Sequence, residues 1–321
     1  MKALVIEAPG VLALKDLPTP PLPPGECRVR VRLAGICRTD LELLKGYMGF
    51  RGVPGHEFAG EVTEGPEHLL GRRVVGEINV PCTLARYSQP GFDARHEPER
   101  TVLGILNRPG AFAETLTLPP ENLLPVPDSV SDEEAVFTEP LAAALEIFEQ
   151  IHVSPGEQIL VIGDGKLGLL IAQVCALFGH RVTLHGRHEK KLALARRWGV
   201  RARISDEESF GKFPLVVEAT GSPTGFAAAL QHIAPRGTIV LKSTYAPDTL
   251  PKLDAAKIVV DEIRLIGSRC GRFAPALRLL AQGKLDVRSL IDHRKPLEQG
   301  METFQLAAHK GVLKVLLQMQ L

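Results

Sequence analysis

The sequence predicts an α/β plus β protein of two domains: a β-rich domain and a doubly wound domain built on a parallel sheet. Three observations carry that expectation. The 321 residues exceed the roughly 250–300 at which one hydrophobic core stops growing. Short strand-like runs separated by Pro- and Gly-rich turns fill the chain to about Pro127. From Pro155-Gly156 onward, short apolar runs alternate with helix-length ones, as crossover connections between parallel strands require.

In chain order, ALVIEA, CRVRVRL, FAGEVTE and RRVVGEI read as strands of a barrel or sandwich. The cluster Pro18, Pro20, Pro21, Pro23 and Pro24 reads as a surface loop, because strand-like sequence resumes directly after it. At Ser131, SDEE offers an N-cap with Glu134 three residues on, and AVFTEPLAAALEIFEQI then has helical spacing. Pro140 is expected to kink that helix or begin a new one. Beyond it, QILVIG, RVTLHG, PLVVEATG and GTIVLKS read as strands, with KLGLLIAQVCALFG, EKKLALARRWG and TGFAAALQHI as the intervening helices. VLKVLLQM, near the C-terminus, reads as a last strand.

Composition excludes several classes. Lys and Arg number 38 against 37 Asp and Glu, a net charge of +1, so no bulk field favours nucleic acid or an anionic membrane. No stretch reaches the roughly 18 uninterrupted apolar residues of a membrane span, and MKALVIEAPG turns polar at once, so an untargeted cytoplasmic protein is expected. The five cysteines, Cys27, Cys37, Cys82, Cys175 and Cys270, are odd in number and scattered, which argues against a disulfide framework.

The strand QILVI runs into Gly163-Asp164-Gly165-Lys166-Leu167-Gly168, a complete G-x-G-x-x-G opening a helix. The first glycine makes the tight turn, the second admits a pyrophosphate close to backbone, and the third lets helix and strand pack. The helix N-terminus then offers free N–H groups to the phosphates. An acid at the end of the next strand would bind the ribose hydroxyls of NAD. The residues there are Gly186, Arg187 and His188, followed by Lys190 and Lys191, which points to NADP(H) in preference to NAD(H). The alternative is that Arg187 and the lysines form only a solvated turn and helix face.

Gly35-Ile36-Cys37-Arg38-Thr39-Asp40 and Gly55-His56-Glu57 each follow a strand or turn of the first domain. A thiolate, an imidazole and nearby carboxylates are what zinc requires. Singly, Cys37 reads as a buried small hydrophobe and His56 as a loop histidine; together they read as a metal site. GICRTD, GHEFAGEV, the TEPLAAALE helix and the glycine loop, in this order, resemble the zinc-dependent medium-chain dehydrogenase/reductase superfamily along essentially the whole chain.

That resemblance implies a GroES-like catalytic domain over 1–142 and 288–321, with a Rossmann domain inserted over 143–287. It implies Cys37, His56 and Glu139 as zinc ligands, with Glu57 beside the metal and able to replace a water ligand. Cysteine stands at the position of Glu139 in alcohol dehydrogenases and glutamate in polyol and sugar dehydrogenases, so a secondary alcohol, polyol or sugar is the implied substrate. Thr39 is implied as the first member of a proton relay, Asp40 as the partner orienting His56, and Arg38 as a cofactor-phosphate contact. Thr220, Ser243 and Arg269 are further candidates for cofactor contact, and a homodimer or homotetramer is the implied assembly.

Two departures bear on this. Glu42 stands where classical members end the relay with histidine, implying another proton exit. Of the four cysteines of a structural zinc lobe, Cys82 alone is present, with Ala85, Ser88 and either His96 or Glu97 at the other places. One zinc per chain is therefore expected, with that lobe held by packing around Tyr87 and Phe92. Tyr47, Met48 and Phe50 are either cleft-lining or core residues. A zinc-free reductase of the quinone type and a non-catalytic NADPH-binding protein are the alternative functions.

Overall fold

The computed structural model describes residues 1–82, 94–204, 211–245 and 251–320. The chain divides into two compact units: Met1–Glu139 with Phe273–Leu321, and Pro140–Arg272.

One strand organises the first unit. Cys27–Gly35 buries Val29 and Val31 while Arg30 points outward, the alternation that its sequence dictates. It pairs antiparallel with Glu57–Glu64 along its length, with Thr115–Leu118 at its start and with Lys314–Gln318 at its end. The last strand of the chain thus completes the sheet of the first unit. Arg73–Gly76 and Leu123–Pro125 extend that sheet beyond Glu57–Glu64, and Ile291–Pro296 extends it beyond Lys314–Gln318.

Ser131 caps the short helix Asp132–Ala135: its hydroxyl accepts the Glu134 N–H at 3.3 Å, and the Glu134 carboxylate accepts the Ser131 N–H at 2.9 Å. A separate helix, Thr138–Gln150, carries Pro140 in its first turn, where a missing N–H breaks no helical bond. The return to the first unit comes at Phe273, ahead of the expected residue 288. The helix Phe273–Ala281 packs on Asp132–Ala135, and the Phe273 N–H donates to Glu77 at 2.9 Å, so its partners lie in the β-rich unit.

The second unit is a wholly parallel sheet of six strands among the described residues: Gln158–Ile162, Arg181–Gly186, Arg201–Ile204, Phe213–Glu218, Ile233–Leu241 and Arg264–Gly267. Numbered along the chain they lie in the order 3-2-1-4-5-6, the Rossmann arrangement, whose ligand crevice lies outside the carboxyl ends of strands 1 and 4. Leu160, Ile162, Val216, Phe226 and Ile239 form its core on one face. Among the described residues no helix is long and apolar enough to cross a membrane.

Candidate active site

Gly35 ends its strand between two neighbours, facing Glu57 on one and Leu316 on the other. A Cβ on Gly35 would collide with the Glu57 carboxylate and fall 2.8 Å from Val136 Cγ1, so glycine is what lets Glu57 lie against the strand. Cys37, just beyond, N-caps the helix Arg38–Leu44. The wholly buried Asp40 accepts the Cys37 N–H at 2.8 Å and the Gly55 N–H at 3.2 Å, and its Oδ1 lies 3.3 Å from His56 Nδ1. One carboxylate therefore ties the helix cap to the loop that presents His56.

The ligand atoms of Cys37, His56 and Glu57 lie within 4.8 Å of one another. With Nδ1 turned to Asp40, Nε2 is the nitrogen that a metal can use. Burial alone would depress the His56 pKa, but the Asp40 carboxylate and the Cys37 sulfur outweigh it and hold the imidazole well above its ordinary value. Thr39 Oγ1 stands 3.8 Å from Cys37 Sγ. A soft sulfur, an imidazole and a carboxylate oxygen gathered this closely are a donor set that suits zinc.

Sequence reasoning missed the partner of Glu57. Lys314 is fully buried, its ammonium is ion-paired with Glu57 Oε2, and it lies 5.4 Å from the centre of the Phe137 ring. A lysine inside the apolar run VLKVLL was the available signal. Glu139 opens the helix Thr138–Gln150, half-buried and outside the trio. Arg38 is exposed and pairs with Glu42 at 2.8 Å, and Glu42 also meets Lys45 at 3.1 Å. Tyr47 and Met48 are exposed, which removes the core reading for both. The Cys82 N–H donates to the fully buried Glu97 carboxylate at 2.5 Å, and His96 lies in the adjoining turn Ala94–His96. Ala85, Tyr87, Ser88 and Phe92 lie outside the described residues.

In the second unit the glycine loop fits a dinucleotide. A Cβ on Gly168 would collide with the Gly163 carbonyl, whereas one on Gly165 would meet nothing within 4 Å. Close packing holds the loop while open space lies where a pyrophosphate must approach. Gly165 caps the helix Lys166–Leu177, whose first turn, Lys166, Leu167 and Gly168, presents N–H groups there.

No acid stands at the end of the second strand, and the acid of the glycine loop, Asp164, is turned to the backbone that follows that strand. Asp164 Oδ2 accepts the N–H groups of Arg187 and His188, each at 2.7 Å, and lies 2.9 Å from His188 Nδ1. Burial would raise its pKa, but these donors outweigh it and lower the carboxyl below its ordinary value. Gly186 is needed because a Cβ there would fall 2.6 Å from Asp164 Cβ. The Arg187 side chain is exposed, while Lys191 is buried on its helix. Thr220 follows the fourth strand; Ser243 follows the fifth, and the Arg269 carbonyl accepts from Lys242 Nζ at 2.7 Å.

Each of the two units has its counterpart among known proteins. Residues 23–128 match the alcohol dehydrogenase GroES-like domain family and residues 167–282 the zinc-binding dehydrogenase family. The chain is 32% identical to an L-threonine 3-dehydrogenase of Chelativorans sp. (strain BNC1), covering 95% of this chain and 94% of the relative. It is 29% identical to a D-altritol 5-dehydrogenase of Agrobacterium fabrum (strain C58), covering 95% of each. A solved zinc-binding dehydrogenase from Sinorhizobium meliloti 1021, bound to NADP, superposes with a TM-score of 0.90 at 26% identity over 99% of this chain and 98% of that one. With a GroES-like unit carrying the sulfur–imidazole–carboxylate trio and a Rossmann unit carrying the glycine loop, the chain is a dehydrogenase belonging to the zinc-dependent medium-chain dehydrogenase/reductase superfamily.

Proposed function

We propose that the enzyme transfers a hydride between NADP(H), in preference to NAD(H), and the alcohol/carbonyl pair of a secondary alcohol, polyol or sugar, with one catalytic zinc per chain and no structural zinc. The observation that carries this reading is the convergence of Cys37, His56 and Glu57 within 4.8 Å, with Asp40 behind the imidazole. Zinc, when bound, supplies a Lewis acid that favours the deprotonated alcohol, and the nicotinamide accepts the hydride.

The residues of the chain do the rest. Asp40 fixes the His56 ring. The Thr39 hydroxyl beside Cys37 would relay the substrate proton, accepting it while passing its own on to water. Glu57 is already ion-paired with Lys314, so Glu139, the acid that opens the helix Thr138–Gln150, is proposed as the third ligand. Arg187 favours a 2′-phosphate, because the Asp164 carboxylate is consumed by backbone donors and by His188 rather than facing a ribose. The relatives acting on threonine and altritol support a secondary alcohol or polyol.

The exposed Val259 and Val260, before the edge strand Arg264–Gly267, support pairing of two Rossmann sheets in a homodimer or homotetramer. The free cysteines support a cytoplasmic setting. Turnover of a panel of polyols, sugars and secondary alcohols with NADP⁺ and NAD⁺ tests the reading. Zinc-dependent oxidation with the lower KM for NADP⁺ is expected, and no turnover of any member by zinc-loaded enzyme would overturn it.

A further inference from the structure

A chain of hydroxyl groups crosses the carboxyl end of the Rossmann sheet. It begins at Glu218, the last residue of the fourth strand, whose carboxyl is wholly buried. Glu218 accepts the Thr220 N–H at 2.7 Å, the Gly221 N–H at 3.4 Å and the Tyr245 hydroxyl at 2.7 Å, and it also accepts the Thr220 hydroxyl. From there Thr220 Oγ1 meets Ser222 Oγ at 2.8 Å, and Ser222 Oγ meets Thr224 Oγ1 at 3.2 Å. Arg187 Nη2 donates to Thr224 Oγ1 at 3.2 Å.

The two ends fix the direction of every bond between them. The Arg187 guanidinium only donates, and the Glu218 carboxyl oxygens accept from Thr220 and Tyr245. With its proton given to Glu218, Thr220 accepts from the Ser222 hydroxyl, and also from the Ser222 N–H at 3.1 Å. Ser222 then accepts from the Thr224 hydroxyl, and also from the Gly225 N–H at 3.1 Å. Thr224 is left with an oxygen lone pair facing Arg187, and bonds aligned in one direction strengthen each other. The chain links the turn after the second strand to the turn after the fourth, on either side of the glycine loop.

We infer that Thr224 is a positioning residue for cofactor selectivity: its hydroxyl oxygen, oriented through Ser222 and Thr220 by Glu218, holds the exposed Arg187 guanidinium for the 2′-phosphate of NADP(H). One of the five guanidinium N–H groups is used in this tether, and the others remain for a phosphate. The Asp164 bonds to the Arg187 and His188 N–H groups fix the backbone from which that side chain springs. A held arginine loses less freedom on binding than a loose one. This inference rests on the NADP(H) reading of the same site.

The test is calorimetric binding of adenosine 2′,5′-bisphosphate and of 5′-AMP to the intact protein, wild type against Thr224→Val and Thr224→Ser. Wild type is expected to bind the bisphosphate more tightly. Thr224→Val is expected to weaken the bisphosphate roughly 3- to 10-fold, the worth of one oriented hydrogen bond, while leaving 5′-AMP unchanged, and Thr224→Ser to restore it. A preference in wild type that Thr224→Val retains in full overturns the role of Thr224 alone. Equal binding of the two nucleotides by wild type overturns the cofactor reading and this inference with it.

Discussion

The Lys314 ammonium and the Glu57 carboxylate form an ion pair that is closed to solvent on both sides, next to the cysteine and histidine of the candidate metal site. Strand register creates it: Gly35 stands opposite both Glu57 and the C-terminal strand, and its missing side chain makes room for the carboxylate. Removing one partner from a buried pair leaves an uncompensated charge, at a cost of about 3–5 kcal/mol, whereas replacing both is close to neutral. Lys314→Met is therefore expected to lower stability to urea by about that amount, and Glu57→Gln with Lys314→Met to recover most of it. A Lys314→Met protein as stable as wild type would show that the pair does not hold the site.

The glycine loop separates packing from binding. Gly168→Ala forces a Cβ onto the Gly163 carbonyl and is expected to destabilise the second unit by about 1–3 kcal/mol. Gly165→Ala enters open space at an extended backbone position and is expected to stay within about 0.5 kcal/mol of wild type. Its effect appears instead as NADP⁺ binding weakened by roughly tenfold or more, read by titration. Undiminished binding by Gly165→Ala would place the phosphates elsewhere.

Much of this arrangement was legible in the sequence because its signals are local. The alternation in CRVRVRL, the Ser131–Glu134 cap and the glycines before KLGLLIAQVCALFG each act over a few residues. Lys314 was not legible as a partner of Glu57, since they are 257 positions apart and meet only through pairing to a third strand. The Asp164 bonds to Arg187 and His188 were not legible for a similar reason: they join residues 23 and 24 positions apart that meet only because two parallel strands end side by side. The packing of the helix Phe273–Ala281 on Asp132–Ala135 was not legible either, because an apolar helix face does not say which neighbour buries it.

Asp164 gives a pH dependence with a definite sign. Its folded pKa lies below the ordinary carboxylate value, so its stabilisation is present above that value and is lost as pH falls through the folded pKa. Asp164→Asn is expected to melt below wild type at neutral pH, with the gap narrowing below about pH 4. A gap unchanged across that range would contradict the assigned bonds to Arg187 and His188.

His56 gives the opposite sign. In metal-free protein its pKa is raised, so the charged imidazole stabilises the fold below its ordinary pKa, and that contribution is lost as pH rises through the folded pKa. Metal needs the neutral ring, so zinc added to metal-free protein at neutral pH is expected to release protons, and its affinity to rise with pH through the folded pKa. The check is zinc titration in weak buffer with a pH indicator, and pH-independent affinity without proton release would count against His56 as a ligand.

Zinc per chain, measured by elemental mass spectrometry on protein purified without chelators, tests the central claim most directly. A ratio near one is expected, falling towards zero in Cys37→Ser and in Glu139→Gln while the fold persists. A ratio near zero that persists after zinc is added back would contradict the catalytic site, and a ratio near two would contradict the loss of the structural one.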